Sequence, residues 1–175
     1  FFLNLWFHNP HTPIEGKPEM VEQFRRRLHL GLRHQNPEYA AMLQTLDENI
    51  GRILGHLNRR GLAQHTAVFF ASDNGGYTNL FKGMRVTDNT PLRSGKGSLY
   101  EGGIRVPFIA RVPNLTPKGA VCSEPVICMD IFSTIAELAG ATVTNPVDGR
   151  SLVGLLRGPK SRLGRDALFF HFPHY

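Results

Sequence analysis

Residues 36–72 constrain the fold more than any other part of the sequence. Asn36 belongs to the residue types that cap helices, and Pro37 suits a helix's first turn. Apolar residues then recur at Tyr39, Met42, Leu43, Leu46, Ile50, Ile53, Leu54 and Leu57. That is the i, i+3, i+4, i+7 spacing of a helix packed along one face. Arg59 and Arg60 complement the negative end of the helix dipole, and Gly61 supplies the stop. The run HTAVFFAS (65–72) follows, and its unbroken apolar centre predicts a strand buried on both faces, as in a parallel sheet. A helix feeding such a strand is half of a βαβ unit, so the expected class is α/β.

The flanking sequence predicts further elements. FFLNLWF (1–7) reads as a buried strand broken off by HNPHTP, and residues 14–35 as a polar, basic surface loop with a short helix near 18–29. Residues 73–104 are Gly-rich and aperiodic, and a loop that long inside a compact domain is commonly functional. IRVPFIARV (104–112) predicts a strand in which Pro107 favours an edge or a bulge. CMDIFSTIAELAG (128–140) predicts an amphipathic helix with Ile131, Phe132, Ile135, Leu138 and Ala139 on its buried stripe and Gly140 as its stop. Residues 145–160 are turn-rich, and DALFFHFPHY (166–175) begins as a strand.

With 175 residues the chain is long enough for one domain with a real core. It opens on its most apolar segment, so it is expected to be part of a longer protein. No apolar run approaches the roughly 20 residues of a membrane-spanning helix. The formal net charge of +6 favours anionic partners. The basic residues are scattered, however, and do not alternate with aromatics, which argues against nucleic acid. Cys122 and Cys128 are too few for a disulfide framework; they could pair or stay free.

Ligands of open α/β sheets bind beyond the carboxyl ends of the strands, and three polar clusters fall in such places. Asp73 and Asn74 follow the second strand as a carboxylate and an amide oxygen side by side, the ligand type of hard divalent cations. An Asx-turn with Gly75 and Gly76 is the competing account, and the better one for the string alone. Lys96 lies between Gly95 and Gly97, near Arg93, where backbone amides can approach an anion and an ammonium adds a compact charge. It is not a P-loop, because Thr90 and Gly97 stand where that pattern needs Gly and Ser or Thr. His11, in NPHTP, could donate a hydrogen bond to an anion or a proton to a leaving group. His8 reads as a surface residue. His171 and His174 would face opposite sides of a strand and are discounted as a metal pair.

Taken in order, FFLNLWFHNPHTP, YAAMLQTLDENIGRILGHLNRRGLAQHTAVFFASDNGG, PLRSGKGSLYEGGIRVPFIAR and DIFSTIAELAG with DGRSLVGLLRG resemble the sulfatase family of the alkaline phosphatase-like superfamily. The resemblance implies an α/β fold, part of a three-layer sandwich with a mostly parallel central sheet flanked by helices. It implies that Asp73 and Asn74 are two ligands of a divalent metal, most commonly Ca²⁺, with Mg²⁺ as the other choice. Lys96 and His11 would contact the sulfate, and His11 would protonate the leaving group. It also implies a formylglycine nucleophile made from Cys or Ser in Cys/Ser-x-Pro-x-Arg. No such motif occurs in this chain. Residues 1–160 therefore resemble the middle to C-terminal part of a sulfatase catalytic domain and 161–175 the start of a C-terminal subdomain, and the chain alone is expected to be inactive.

The implied substrate is a small sulfate ester or a sulfated glycan, and the implied location is periplasmic, secreted or lysosomal. Phosphatases, phosphodiesterases and phosphonate hydrolases of the superfamily share metal and fold, but the Gly-Lys-Gly loop with Tyr100-Glu101-Gly102-Gly103 favours a sulfatase. A non-catalytic basic module that binds sulfated glycans is the reading from a different class.

Overall fold

The computed structural model describes residues 1–173, which divide into two compact units. The first comprises Phe1–Ala63 and Asn74–Arg105; the second comprises Gln64–Asp73 and the chain from Val106 onward.

The first unit is built on a helical pair, α1 (Pro18–Arg25) and α2 (Pro37–Arg59). Asn36 caps α2 by accepting a hydrogen bond from the Tyr39 N–H at 3.0 Å. Gly61 ends the helix in the left-handed region, at φ 68°. Both signals were legible in the sequence. The packing face is narrower than the predicted stripe: Ala41 and Met42 are buried, whereas Leu43 and Leu54 are exposed. At Gly16 an added Cβ would lie 2.6 Å from that of Ala41 and 2.8 Å from a Val21 methyl, so glycine lets the incoming chain lie tight on the pair. Ile14, Met42 and Val86 form the core, with Tyr39, Tyr77 and Phe81 packed around them. A small hairpin, β2 (Leu80–Phe81) and β3 (Met84–Arg85), turns through Lys82 and Gly83, both at positive φ. A single helical turn, α3 (Glu101–Ile104), closes the unit.

The second unit pairs β1 (Val68–Ala71) with β4 (Phe108–Arg111) and adds α4 (Met129–Leu138) and α5 (Val153–Arg157). The pairing is antiparallel, with Val68 opposite Arg111 and Ala71 opposite Phe108. This corrects the parallel, doubly buried strand expected at 65–72. A parallel neighbour needs a crossover, but the chain re-enters this sheet travelling the opposite way. β1 is accordingly half-buried and β4 alternates between half-buried and exposed residues. β4 begins just after Pro107, which removes that residue's missing N–H from the ladder.

Helix α4 overturns its predicted stripe. Phe132 is 59% exposed, whereas Asp130 and Thr134 are fully buried. Burial of these polar groups is tolerable because each is hydrogen-bonded. The Thr134 hydroxyl donates to the Asp130 carbonyl at 2.6 Å and accepts from the Leu152 N–H at 2.9 Å. Asp130 accepts from the N–H groups of Ile127 and Arg150 and from both terminal nitrogens of Arg165.

Two expected strands do not form. Residues 1–7 are irregular and open to solvent, with Trp6 89% exposed. A strand needs a partner for its N–H and C=O groups, and among the described residues none pairs with this segment. Residues 166–173 are likewise irregular; His174 lies outside the described residues. Cys122 and Cys128 are both exposed and free. Among the described residues, no helix is long and apolar enough to cross a membrane.

Candidate functional site

Lys96 is carried by a loop built almost entirely from backbone contacts. The Gly75 N–H donates to the Gly103 carbonyl at 2.8 Å, the Lys96 N–H to the Gly76 carbonyl at 3.1 Å, and the Gly102 N–H to the Arg93 carbonyl at 2.9 Å. Three glycine-bearing segments, 74–76, 93–96 and 102–103, thus lie directly against one another. A Cβ added at Gly75 would sit 1.7 Å from the Gly102 oxygen, one at Gly95 2.3 Å from the Gly76 oxygen, and one at Gly102 2.2 Å from the Ser94 oxygen. Side chains cannot occupy those positions without moving backbone. The glycines therefore serve close approach, which the turn reading of Gly75 and Gly76 did not foresee.

Asn89 ties the segments together. Its side-chain nitrogen donates to the carbonyls of Gly76 at 3.0 Å, Ser94 at 3.0 Å and Gly102 at 3.2 Å. Sequence reading missed this residue; the only trace of it was the turn signal TDNTP. Arg93, already noted beside Lys96, places its guanidinium 3.7 Å from the centre of the Tyr100 ring, a cation–π contact across the same loop that the sequence did not show. Lys96 itself is exposed, and Gly97 beside it adopts φ 84°.

Asn74 is half-buried, and its Nδ2 donates to the Gly75 carbonyl at 3.0 Å. The backbone contacts bring the Asn74 and Lys96 segments together in one unit. Asp73 is exposed and belongs to the other unit, with β1. In kind, a carboxylate and an amide oxygen suit a hard divalent cation. In number they fall short of its coordination shell, and among the described residues no group of three or more His, Cys, Asp or Glu side chains could hold a metal.

His11 sits in a loop tied down at both sides. Its N–H donates to the His8 carbonyl at 2.9 Å, and Asn9 Nδ2 donates to the Met42 carbonyl of α2 at 3.1 Å. The His11 Nδ1 lies 2.9 Å from the Thr12 carbonyl. The Thr12 hydroxyl lies 3.3 Å from the same nitrogen; a carbonyl only accepts, so in its bond to the Thr12 carbonyl Nδ1 carries the hydrogen. The His8 ring lies beside it, tilted by 56° with ring centres 6.0 Å apart.

A family model for sulfatases matches residues 1–141. The chain belongs to the sulfatase family. The chain is 36% identical over 189 residues to a sulfatase of Formosa agariphila, covering all of this chain and 33% of that protein. It is 39% identical over 180 residues to mouse steryl-sulfatase, covering all of this chain and 27% of that one. It spans 23–33% of the length of the curated sulfatases it matches. A crystal structure of Ps i-CgsB in complex with k-i-k-neocarrahexaose matches 84% of the chain and 31% of that structure's own, with a TM-score of 0.73 at 34% identity. BT4656 in complex with its substrate, D-glucosamine-2-N,6-O-disulfate, matches 80% of the chain and 27% of its own, with a TM-score of 0.61 at 25% identity. These sulfatase neighbours establish the alkaline phosphatase-like α/β fold for a chain whose own two strand pairs are antiparallel.

Proposed function

We propose that this sulfatase chain contributes part of the active site of a sulfuric ester hydrolase, with Lys96 and His11 on the sulfate and Asp73 and Asn74 as two ligands of a divalent cation, Ca²⁺ before Mg²⁺. The observation that carries the reading is the glycine-on-glycine packing that holds Lys96 beside the Asn74 segment. Such packing makes sense where backbone must be rigid and a flexible ammonium must be delivered to a fixed place.

The roles follow from the chemistry of each group. Lys96 neutralises charge on the sulfate oxygens, as preorganised electrostatic groups do. His11, with Nδ1–H on the Thr12 carbonyl, carries a second hydrogen at Nε2 only as the imidazolium, and in that form it can pass the Nε2 proton to the departing alcohol. Asp73 and Asn74 would hold the cation through oxygen. A divalent ion bound there would polarise the sulfuryl group as a Lewis acid. The formylglycine belongs to a motif this sequence lacks, and none of these roles passes through it. In this reading residues 1–160 belong to the catalytic domain and 161–175 open a C-terminal subdomain. The substrate is a sulfate ester, either a small molecule, as the disulfated glucosamine of BT4656 is, or a sulfated glycan; Ps i-CgsB binds an oligosaccharide, neocarrahexaose.

The test is hydrolysis of 4-nitrophenyl sulfate against 4-nitrophenyl phosphate by the natural-length protein. Sulfate ester turnover should dominate, and Lys96→Ala should lower kcat/KM by about 10²–10³-fold, the loss typical of one electrostatic donor. Phosphate ester preference, or an unchanged Lys96→Ala variant, refutes the assignment. The 175-residue chain by itself should show no turnover.

A further inference from the structure

Outside the residues already assigned, the first unit carries a basic surface groove lined by Arg33, His34, Arg85 and Thr87, with Gln35 and Met84 completing its walls. The donors arrive from two directions: Arg33 and His34 from the segment before α2, and Arg85 from β3. All three residues are exposed. One Arg33 terminal nitrogen donates to the Thr90 carbonyl at 2.9 Å, which fixes the guanidinium and leaves it further N–H donors. His34 Nδ1 lies 3.3 Å from the Thr87 hydroxyl.

The one acid close by does not cancel this charge. Asp88 Oδ1 accepts from the Thr90 N–H at 2.8 Å and the Thr90 hydroxyl at 2.5 Å. Its Oδ2 stands 4.0 Å from Arg85. Two guanidinium groups and an imidazole thus face a single carboxylate that is half committed to a turn. Guanidinium forks match oxyanions in shape and charge.

The groove also has a defined relation to the Lys96 loop. Segment 87–90 lines it through Thr87 and anchors Arg33 through Thr90. Between those two residues Asn89 clamps Gly76, Ser94 and Gly102. A single short segment therefore shapes both places. We infer that the Arg33–His34–Arg85 groove binds a second sulfate group of a multiply sulfated glycan whose scissile sulfate lies at Lys96. This rests on the proposed role of Lys96. It adds a subsite that selects polysulfated chains over singly sulfated ones.

The experiment is calorimetric titration of the purified protein with neocarrahexaose bearing one sulfate, with the same hexaose bearing several, and with inorganic sulfate. The multiply sulfated hexaose should bind about tenfold more tightly, an advantage that fades with salt as exposed charge interactions do. Arg33→Ala/Arg85→Ala should erase that advantage and leave the singly sulfated hexaose within about twofold of its original affinity. Arg85→Ala alone, on an exposed hairpin, should remove part of it, and circular dichroism should show both variants folded. An advantage that survives in the folded variants overturns the subsite. So does inorganic sulfate competing at the groove as strongly as the hexaose, which would make it a free-anion site. Lys96→Ala separates the two readings. An equal loss for both hexaoses supports Lys96 as the shared sulfate contact. No loss there, with the groove variants still abolishing the preference, sinks the Lys96 assignment and leaves the groove standing.

Discussion

Arg165 reaches back 35 residues to hold both carboxylate oxygens of Asp130, at 2.9 and 2.5 Å, where the aspartate side chain has no solvent exposure. The pair joins α4 to the chain end. Ile127 and Arg150 complete the carboxylate's shell with backbone N–H groups.

Removing the carboxylate strands the Arg165 guanidinium and two N–H donors at once. Asp130→Ala should destabilise the protein by about 3–5 kcal/mol, the usual cost of breaking a buried pair from one side. Arg165→Ala should cost less, because the carboxylate keeps two donors and the arginine side chain is 12% exposed. Urea denaturation of both variants checks the order, and equal losses would contradict it.

Acid should unfold the second unit through the same group. Burial pushes the Asp130 carboxyl up, but the Arg165 hydrogen bond and the N–H groups of Arg150 and Ile127 outweigh it and hold the group below the usual aspartate range. Glu124 is also held low, first by the Leu163 N–H and, against some burial, by Arg162. A depressed folded-state pKa gives stability that is fully present above the unfolded-state value, about 3.9 for aspartate, and is lost as pH falls through the folded value. The denaturation midpoint should hold steady from neutral pH to about 5 and fall below about 4. In Asp130→Asn that fall should be shallower, with Glu124 supplying the remainder; an unchanged slope refutes the assignment.

Asn89 shares the two hydrogens of one amide nitrogen among three carbonyls, and its loss leaves Ser94 and Gly102 without that donor while Gly76 keeps the Lys96 N–H. Asn89→Ala should cost about 0.5–1.5 kcal/mol, the net worth of a hydrogen bond in a part-buried setting. Asn89→Asp should be worse, since a carboxylate would face the same three oxygens. Hydrogen exchange at the Lys96 and Gly75 N–H groups should speed up in both. An aspartate variant as stable as the parent would refute the clamp.

Glycine replacements should separate sharply by position. Gly75→Ala puts a methyl 1.7 Å from the Gly102 oxygen, so the backbone must move and the Gly75 to Gly103 bond must break. Gly51 lies exposed within α2, with nothing within 4 Å of an added Cβ. Gly51→Ala should stabilise by about 0.4–1 kcal/mol by lowering the entropy of the unfolded chain. Thermal melts of the two variants should shift in opposite directions.

The local signals of this sequence specified local structure. The Asn36 cap, the Pro37 first turn, and stops at Gly61 and Gly140 each act within a few residues, and each stands where the pattern put it. The order of four motifs was enough for the family, because a family is a linear pattern. What tertiary structure decided is everything that needs a distant partner. α4 buries Asp130 and Thr134 and exposes Phe132, because Arg165, Arg150 and Leu152 satisfy the polar groups from 18 or more residues away. β1 runs antiparallel to β4, a direction set by how the chain returns and not by either strand's composition. FFLNLWF lies open, since apolar character gives a strand its tendency and only a neighbour gives it its hydrogen bonds. Asn89 was invisible for the same reason. Its three acceptors are 5 and 13 residues away in sequence, and only folding brings them to one atom.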